Sequence, residues 1–315
     1  MITVFAGAGF SRLAGVPLAS QLFDSEPEVD RISRQRLVER VVQRWLDWQA
    51  TENGTPEQYL AFLEKQTSRE WLDAVWFVSL RIALEMGRVE VVGMQPTVTR
   101  HNIDRTTGVA AHEQFWHTLF RMADDVTVIT TNYDILCERG LRIKPRPRIR
   151  LPGFNYGSGR EILAGGGYPS YSHIVKVACE GRVPVYKLHG SVSWSVKDGT
   201  LIKYHDCRPA IRGDAAIIAP VTNKAIPVVF KSIWQSAGLA LRTTSTLLVV
   251  GYSLPEYDVA VRDLLKHNLG PHAQVHVFDP QPTIAERYKV LLPGIVVTAQ
   301  PGFPEGIEHL ARLLG

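Results

Sequence analysis

The sequence is short of cysteine, of long apolar runs and of net charge, and each shortage excludes a class of protein. Its cysteines are Cys137, Cys179 and Cys207, which form no C-x-x-C pair. This spacing argues against a structural zinc site and a disulfide framework, and it fits a reducing cytoplasm. No apolar stretch approaches the length of a membrane span, and no basic segment followed by an apolar run indicates a signal peptide. We therefore expect a soluble cytoplasmic protein without zinc or a membrane partner.

The composition is that of an ordinary globular protein. Among 315 residues, 45% are hydrophobic and 21% are charged, and the net charge is +4. This modest positive balance permits an anionic ligand without requiring a nucleic acid. The length allows one large α/β domain, either alone or with a sizeable insertion.

A short apolar strand near residue 1 opens onto a glycine-rich turn. Ile-Thr-Val-Phe at 2–5 runs into Gly7-Ala8-Gly9-Phe10-Ser11, followed by Gly15-Val16-Pro17. Unpaired backbone N–H groups after such a strand, together with a helix dipole, form a seat for phosphate. Position 12 is arginine, so the G-x-G-x-x-G pattern is incomplete. Taken alone, the segment fits a nucleotide loop and a plain tight turn equally well.

Two kinds of periodicity divide the rest of the chain. Apolar residues recur at helical spacing in segments 33–50, 56–67, 69–87 and 109–123. From 125 onwards, short apolar strands alternate with helices, which predicts a doubly wound, Rossmann-like parallel sheet. We therefore predict a Rossmann-like domain of residues 1–24 and 125–315, with an inserted, mainly helical subdomain of residues 25–124. The tryptophans of the insertion are more typical of a core than of ligand stacking.

Small polar clusters follow five of the predicted strands. They are Gly7-Ala8-Gly9, Thr130-Thr131-Asn132-Tyr133-Asp134, Lys187-Leu188-His189-Gly190-Ser191, Gly251-Tyr252-Ser253-Leu254 and Asp279. In open parallel sheets, ligands bind beyond the carboxyl ends of the strands. The five clusters are therefore expected to converge on one crevice.

Each cluster also has a purely structural interpretation. Asn132 and Asp134 are suited to capping the helix that follows them. His189 fits a hydrogen-bonded histidine at a strand end. Asp279 fits a turn with Pro280, although an acidic residue at a strand end also binds a ribose hydroxyl in such folds. These alternatives stay open residue by residue.

The combination of motifs resembles the sirtuin superfamily. The resemblance rests on the glycine turn with Gly15-Val16-Pro17, on Thr131-Asn132-Tyr133-Asp134, on Leu188-His189-Gly190 and on Gly251-Tyr252-Ser253-Leu254. "TTNYD", "KLHGSVSW" and "GYSLPEYD" look like the zinc-less bacterial sirtuin-like NAD hydrolases of anti-phage defence. The chain departs from sirtuin deacylases in lacking two C-x-x-C pairs and in having Leu-Ala-Ser after the Gly-Val-Pro turn. It also has Thr-Asn-Tyr-Asp where deacylases carry Gln-Asn-Ile-Asp, which argues against acyl-lysine recognition.

The resemblance implies a sirtuin-type fold with NAD as the substrate. Asn132 would position the nicotinamide ribose and the attacking water. His189 would act as general base on that water or on a ribose hydroxyl, and Asp134 would orient Asn132 or the ribose, or only cap its helix. The turn would cradle the pyrophosphate through its N–H groups and one hydroxyl, and later strand ends would hold the adenosine side. The implied NAD contacts are Gly7, Ala8, Gly9, Ser11, Thr131, Gly251, Ser253 and Asp279, with no metal ligand.

These expectations favour an NAD glycohydrolase that yields nicotinamide and ADP-ribose as a defence effector. An NAD-dependent deacylase or ADP-ribosyltransferase and a non-catalytic NAD or ADP-ribose sensor are the alternatives. Regulation would come from homo-oligomerisation or from a partner of the same defence system, such as an ATPase or a nucleic-acid-guided protein.

Two further segments have open interpretations. The basic run from Arg139 to Arg150 fits a solvated loop better than a nucleic-acid contact. The glycine-rich segment 153–168 fits either a lid over the site or a surface loop.

Overall fold

The computed structural model describes the chain except for residues 25–31, 67–68, 86–88, 93–94, 99–106, 142–153, 157–159, 162–181, 205–206, 220–225 and 315. Most of the basic run, parts of the glycine-rich segment and Cys179 therefore lie outside the described residues. Across the described part of the chain, no helix combines the length and the apolar character needed to cross a bilayer.

In the part of the chain that the structure describes, a parallel sheet of seven strands forms the centre. Its strands are β1 (Ile2–Ala6), β4 (Val126–Thr130), β5 (Phe154–Asn155), β7 (Val183–Lys187), β11 (Thr246–Val250), β12 (Gln274–Phe278) and β13 (Val296–Gln300). Their spatial order is β13-β12-β11-β1-β4-β7-β5, and every pairing is parallel. The central strands are almost wholly apolar and buried, as expected where helices cover both faces. The prediction of a Rossmann-like parallel sheet is confirmed.

Helices connect and cover these strands. They are α1 (Ala8–Arg12), α5 (Thr107–Met122), α6 (Leu136–Leu141), α8 (Lys231–Arg242), α9 (Val259–Asn268), α10 (Thr283–Leu291) and α11 (Ile307–Leu314). Helix α5 places Phe115, Trp116 and Leu119 in the same hydrophobic core as the strands of the sheet. This helix falls within the predicted insertion, yet it packs with the sheet.

A second hydrophobic core lies among three other helices, α2 (Ile32–Glu52), α3 (Pro56–Lys65) and α4 (Arg69–Glu85). Trp45 and Phe77 stack on Phe23 there, and Tyr59 meets it edge-on, with ring centroids 5.2 to 5.5 Å from that of Phe23. Helix α3 begins at a capping box, because Thr55 accepts from the Gln58 N–H and the Gln58 side chain accepts from the Thr55 N–H. The division of the chain at residues 25–124 remains a prediction.

Two smaller sheets were not expected from the sequence. One contains β6 (Arg160–Glu161), β8 (Gly190–Lys197), β9 (Thr200–Lys203) and β10 (Ala215–Ile217). The other is a hairpin of β2 (Val89–Val92) and β3 (Gln95–Val98). A short helix, α7 (Arg208–Arg212), precedes β10. Strand β8 follows β7 almost directly, because Gly190 adopts a φ of +80° and redirects the chain out of the main sheet.

Candidate active site

A cavity of about 720 Å³ opens at the carboxyl ends of β1, β4, β7, β11 and β12. All the predicted site residues line it except Gly7 and Ser11, which lie directly behind the lining. Asn132, Asp134 and His189 thus share one cavity, together with Asp279 at its other end. The expected convergence of the strand ends is therefore present, although the role of each residue remains a prediction.

The glycine turn packs against the loop after β11, backbone to backbone. Gly7 N donates to Val250 O at 3.0 Å, and Gly9 N donates to Gly251 O at 2.9 Å. A Cβ atom at Gly7 would come within 2.5 Å of Gly251 O, so the contact requires glycine. Protein carbonyls thus accept from the N–H groups of Gly7 and Gly9, and the expected contact of these two residues with a phosphate stays a prediction. Because Gly7 and Gly9 have no side chain, the two backbones can approach each other this closely.

Aromatic side chains pack against Phe10 of the glycine turn. The His112 ring nitrogen Nε2 lies 2.7 Å from Phe10 O, and the two rings have centroids 4.0 Å apart. Burial lowers the pKa of His112 to about 4, so the imidazole is neutral near pH 7 and donates to that carbonyl. Phe303 packs on the same pair and also lines the cavity. The position of α1 is thereby tied to α5.

The Asn132 side chain has a defined orientation. Its Nδ2 donates to Gly7 O at 2.9 Å and to Ser11 Oγ at 3.0 Å, and its backbone N–H donates to Thr130 Oγ1. Both amide hydrogens therefore have acceptors, which leaves Oδ1 as the atom of this amide for a ligand. The side chain does not cap the following helix.

Ser11 is fully buried, and its hydroxyl contacts Asn132. It therefore holds the amide of Asn132 and does not line the cavity, and its expected contact with pyrophosphate stays a prediction.

Asp134 lies two residues before α6 and also lines the cavity. Its Oδ1 accepts from Leu136 N at 2.9 Å, so the helix-capping interpretation is correct for this carboxylate. Its backbone carbonyl accepts from the ammonium of Lys187 on β7, which also pairs with Glu138 at 3.1 Å. Lys187 and Glu138 are both buried. This buried pair connects the loop that carries Asn132 to the strand that leads to His189.

His189 is buried and contacts a carboxylate that is absent from the predicted site residues. Its Nε2 lies 3.3 Å from Asp258 Oδ2, and Tyr252 OH donates to the same oxygen at 2.8 Å. Asp258 is the last residue of "GYSLPEYD", a motif in which only Gly251 and Ser253 are predicted to contact NAD. The acidic residue at the end of that motif was the sequence signal that could have identified Asp258 as a site residue.

Three tyrosines around Asp258 are held as neutral hydrogen-bond donors. Burial raises the pKa of Tyr133 and of Tyr252 well above the usual range, and the nearby Asp258 carboxylate adds to both shifts. Burial and Glu57 raise the pKa of Tyr257 in the same direction. Tyr133 OH donates to Ile218 O and Tyr257 OH to Glu57, so each phenol has an acceptor.

The far end of the cavity carries Asp279 and Ser253. Asp279 follows β12, and its Oδ1 accepts from Gln281 N at 2.9 Å. Burial raises the pKa of this half-buried carboxyl. Ser253 is exposed, and its carbonyl accepts from Arg287. Both residues are thus available on the lining, as expected of groups that contact an adenosine.

The described lining of the cavity carries more acidic than basic side chains. Glu57, Asp134, Asp258 and Asp279 supply four carboxyl groups, and Arg12 supplies a cation at the glycine turn. Among the described residues, no group of three or more histidine, cysteine, aspartate or glutamate side chains could hold a metal ion.

Several solved structures are similar to this chain. A mutant Sir2 homologue in complex with ADP-ribose has a TM-score of 0.49 at 13% identity, over 99% of this chain and 91% of the other. A second mutant complex of that description has a TM-score of 0.48 at 14% identity, with coverages of 99% and 91%. Sir2Tm bound to a propionylated peptide has a TM-score of 0.43 at 13% identity, with coverages of 100% and 92%.

No curated protein matches the chain. A family profile described as "SIR2-like domain" matches residues 126–289. The matched segment runs from the first residue of β4 into α10, and it contains Asn132, His189, Asp258 and Asp279.

Proposed function

The chain belongs to the SIR2-like domain family, and we propose that it hydrolyses NAD to nicotinamide and ADP-ribose. The family membership supports an NAD-dependent activity. The observation that carries the finer proposal is the presence of the Asn132 amide and the His189 imidazole on one cavity. The lining offers this amide acceptor and this base to a ligand at the strand ends, where open parallel sheets bind nucleotides.

The cavity suits a dinucleotide with a cationic and an anionic part. Arg12 beside the glycine turn matches a pyrophosphate, and Asp279 matches the hydroxyls of the adenosine ribose. The carboxylate of Asp134 faces the same space as Asn132 and favours positive charge on the nicotinamide ribose. The proposed binding roles of Ala8, Thr131, Gly251 and Ser253 rest on their place on this lining.

In the proposed reaction the bond between nicotinamide nitrogen and ribose C1′ breaks. Its electron pair goes to the ring nitrogen, which neutralises the positive charge of the leaving group. A water oxygen bonds to C1′, and the water proton passes to His189. The Oδ1 atom of Asn132 accepts a hydrogen bond from the ribose or from that water. A positioned base of this kind contributes ~10²–10⁴-fold to the rate.

We further propose that this hydrolysis serves anti-phage defence by depleting NAD. That role follows from the resemblance of "TTNYD", "KLHGSVSW" and "GYSLPEYD" to the motifs of such effectors. An enzyme of this kind must be silent at rest, so homo-oligomerisation or a partner encoded in the same system would control it.

The decisive experiment is incubation of the purified protein with NAD, followed by chromatography of nicotinamide and ADP-ribose. We expect both products from the wild type, and a loss of at least ~10²-fold in Asn132→Ala and in His189→Ala. His272→Ala is the matched control, because His272 is exposed and lies away from the cavity. The three variants should unfold at similar denaturant concentrations.

Three outcomes would contradict the proposal. The first is NAD that stays intact with the wild type at every protein concentration that permits assembly. The second is undiminished nicotinamide release by Asn132→Ala. The third is nicotinamide without free ADP-ribose, which would indicate transfer to an acceptor other than water.

A further inference from the structure

Asp258 stands at a helix start without capping the helix. It occupies the N-cap position of α9, where an aspartate normally accepts a hydrogen bond from a backbone N–H of the first turn. Its side chain makes no such bond. The carboxylate instead points back towards the cavity, where it is 2% exposed and contacts His189. A local role in starting the helix therefore does not explain this residue.

Two side chains converge on a single oxygen of this carboxylate. His189 Nε2 lies 3.3 Å from Oδ2, and Tyr252 OH donates to Oδ2 at 2.8 Å. The phenol of Tyr252 stays protonated because burial and the adjacent carboxylate raise its pKa. Tyr252 is itself held in place, since its carbonyl accepts from Tyr288 OH at 2.9 Å. Tyr252 thus fixes Asp258, and Asp258 faces the imidazole.

We propose that Asp258 is the positioning residue for His189. It accepts the hydrogen on Nε2, which selects one tautomer and one orientation of the ring, and it stabilises the imidazolium formed when His189 takes a proton. The inference rests on the proposed function, in which His189 is that proton acceptor. The water proton enters at the other ring nitrogen while the C1′–O bond forms and the C1′–N bond breaks. No proton moves to Asp258.

The test uses Asp258→Asn with a matched control in the same loop. Asparagine keeps the shape of the side chain but removes its charge, and its amide can donate to the ring and favour the other tautomer. We expect kcat for nicotinamide release to fall ~10²–10⁴-fold, while KM for NAD changes less than about threefold. Glu256→Gln makes the same chemical change at an exposed position two residues away, and its kcat should stay within about twofold of the wild type.

A second, spectroscopic experiment measures which tautomer the His189 ring adopts. Nitrogen-15 NMR of the histidine side chains, with the His189 signal assigned by its loss in His189→Ala, shows which ring nitrogen carries the hydrogen. At a pH where the ring is neutral, we expect the hydrogen on Nε2 in the wild type and a shift of population towards Nδ1 in Asp258→Asn. A purely structural role for Asp258 would leave this distribution unchanged.

Tyr252→Phe supplies a second variant in case Asp258→Asn does not fold. It removes the 2.8 Å hydrogen bond to Asp258 but keeps the carboxylate and the aromatic ring. We expect kcat to fall about tenfold, because the carboxylate loses the donor that orients it.

The outcomes separate this inference from the proposed function. A hydrogen on Nδ1 in the wild type overturns the role of Asp258, as does unchanged kcat with an unchanged tautomer in Asp258→Asn. A wild type that leaves NAD intact overturns the proposed function instead. The NMR arm needs no turnover, so it tests the pairing of Asp258 and His189 in either case.

Discussion

At position 251 the backbone has a φ of +64°, and an added Cβ atom would lie 2.3 Å from Phe10 N. Gly251 thus meets two constraints, a left-handed conformation and contact with the backbone of α1. The same contact consumes the N–H of Gly9. A glycine-rich sequence after a strand predicts a close approach at this point, but it does not predict whether the approaching group is a phosphate or another strand end.

Gly251→Ala should lower the free energy of unfolding by at least ~2 kcal/mol, because it adds a backbone clash to conformational strain. Gly199→Ala is the control, since Gly199 has a φ of +69° and nothing within 4 Å of its Cβ position. That variant should lose only about 1 kcal/mol. Urea unfolding of the two proteins measures the difference. Equal losses would show that the close approach to Phe10 is not a constraint.

Asp258 shows where residue-level prediction stops. An acidic residue followed by a helical pattern has a sufficient local explanation as an N-cap, so its place at the end of "GYSLPEYD" is easily passed over as a signal of another role. His189, its partner, lies 69 positions earlier, and the contact exists only because β7 and β11 belong to one sheet. Asn132 and His189 could be predicted because each lies two residues after the end of an apolar strand and within a motif that resembles those of sirtuins.

At the scale of elements, the buried pair of Lys187 and Glu138 joins β7 to α6. Tyr156 OH also donates to Glu138, at 3.1 Å. The same ammonium holds the carbonyl of Asp134, at the end of the loop that carries Asn132. Lys187 therefore connects the strand that leads to His189 with the loop that carries Asn132.

Lys187→Met should destabilise the protein by ~3–5 kcal/mol, because it leaves the Glu138 charge buried without its partner. Lys187→Met combined with Glu138→Gln should recover at least ~1 kcal/mol, since glutamine is neutral and still accepts from Tyr156. Denaturant unfolding of the single and double variants measures the recovery. A double variant no more stable than the single one would argue against an uncompensated charge as the cause.

Prediction of elements succeeded where the local pattern was unambiguous. Strands β1, β4, β11 and β12 are mainly apolar and are followed by small or polar residues, and they lie where the sequence predicts them. The four-stranded sheet could not be predicted in the same way. The alternation of serine with apolar residues in β8 is compatible with a strand, but the pairing of β8 with β10 depends on the positive φ of Gly190, which no local pattern indicates.

Across the whole molecule, two hydrophobic cores meet at the cavity. Glu57 on α3 accepts from Tyr257 OH at 3.0 Å, next to Asp258 in the loop after β11. Glu57 is buried and also lines the cavity. The helices of the second core therefore reach the candidate site through a hydrogen bond to a carboxylate. The helical spacing of apolar residues predicts that the helices exist. It does not predict that they pack against the strand ends, because that contact joins residues 200 positions apart.

A double-mutant cycle of Glu57→Gln and Tyr257→Phe should give a coupling energy of about 1–2 kcal/mol, as expected of a partly buried hydrogen bond to a charged group. A parallel cycle on Glu286 and Lys289 is the control, because that pair is 2.7 Å apart but half exposed or more. Its coupling should not exceed ~0.5 kcal/mol. Thermal or urea unfolding measures both cycles. A coupling at Glu57 and Tyr257 as small as the control would mean that this contact does not join the two cores.

The first strand of the chain is also the middle of the sheet, with β4 on one side and β11 on the other. A ribosome must therefore translate beyond residue 250 before β1 gains its second neighbour, which takes tens of seconds at the slower synthesis rates of ~5–20 residues per second. Nascent chains halted earlier lack Gly251 and Asp258 and have no complete cavity. A chain halted before that point therefore cannot assemble the candidate site, whatever activity the finished protein has.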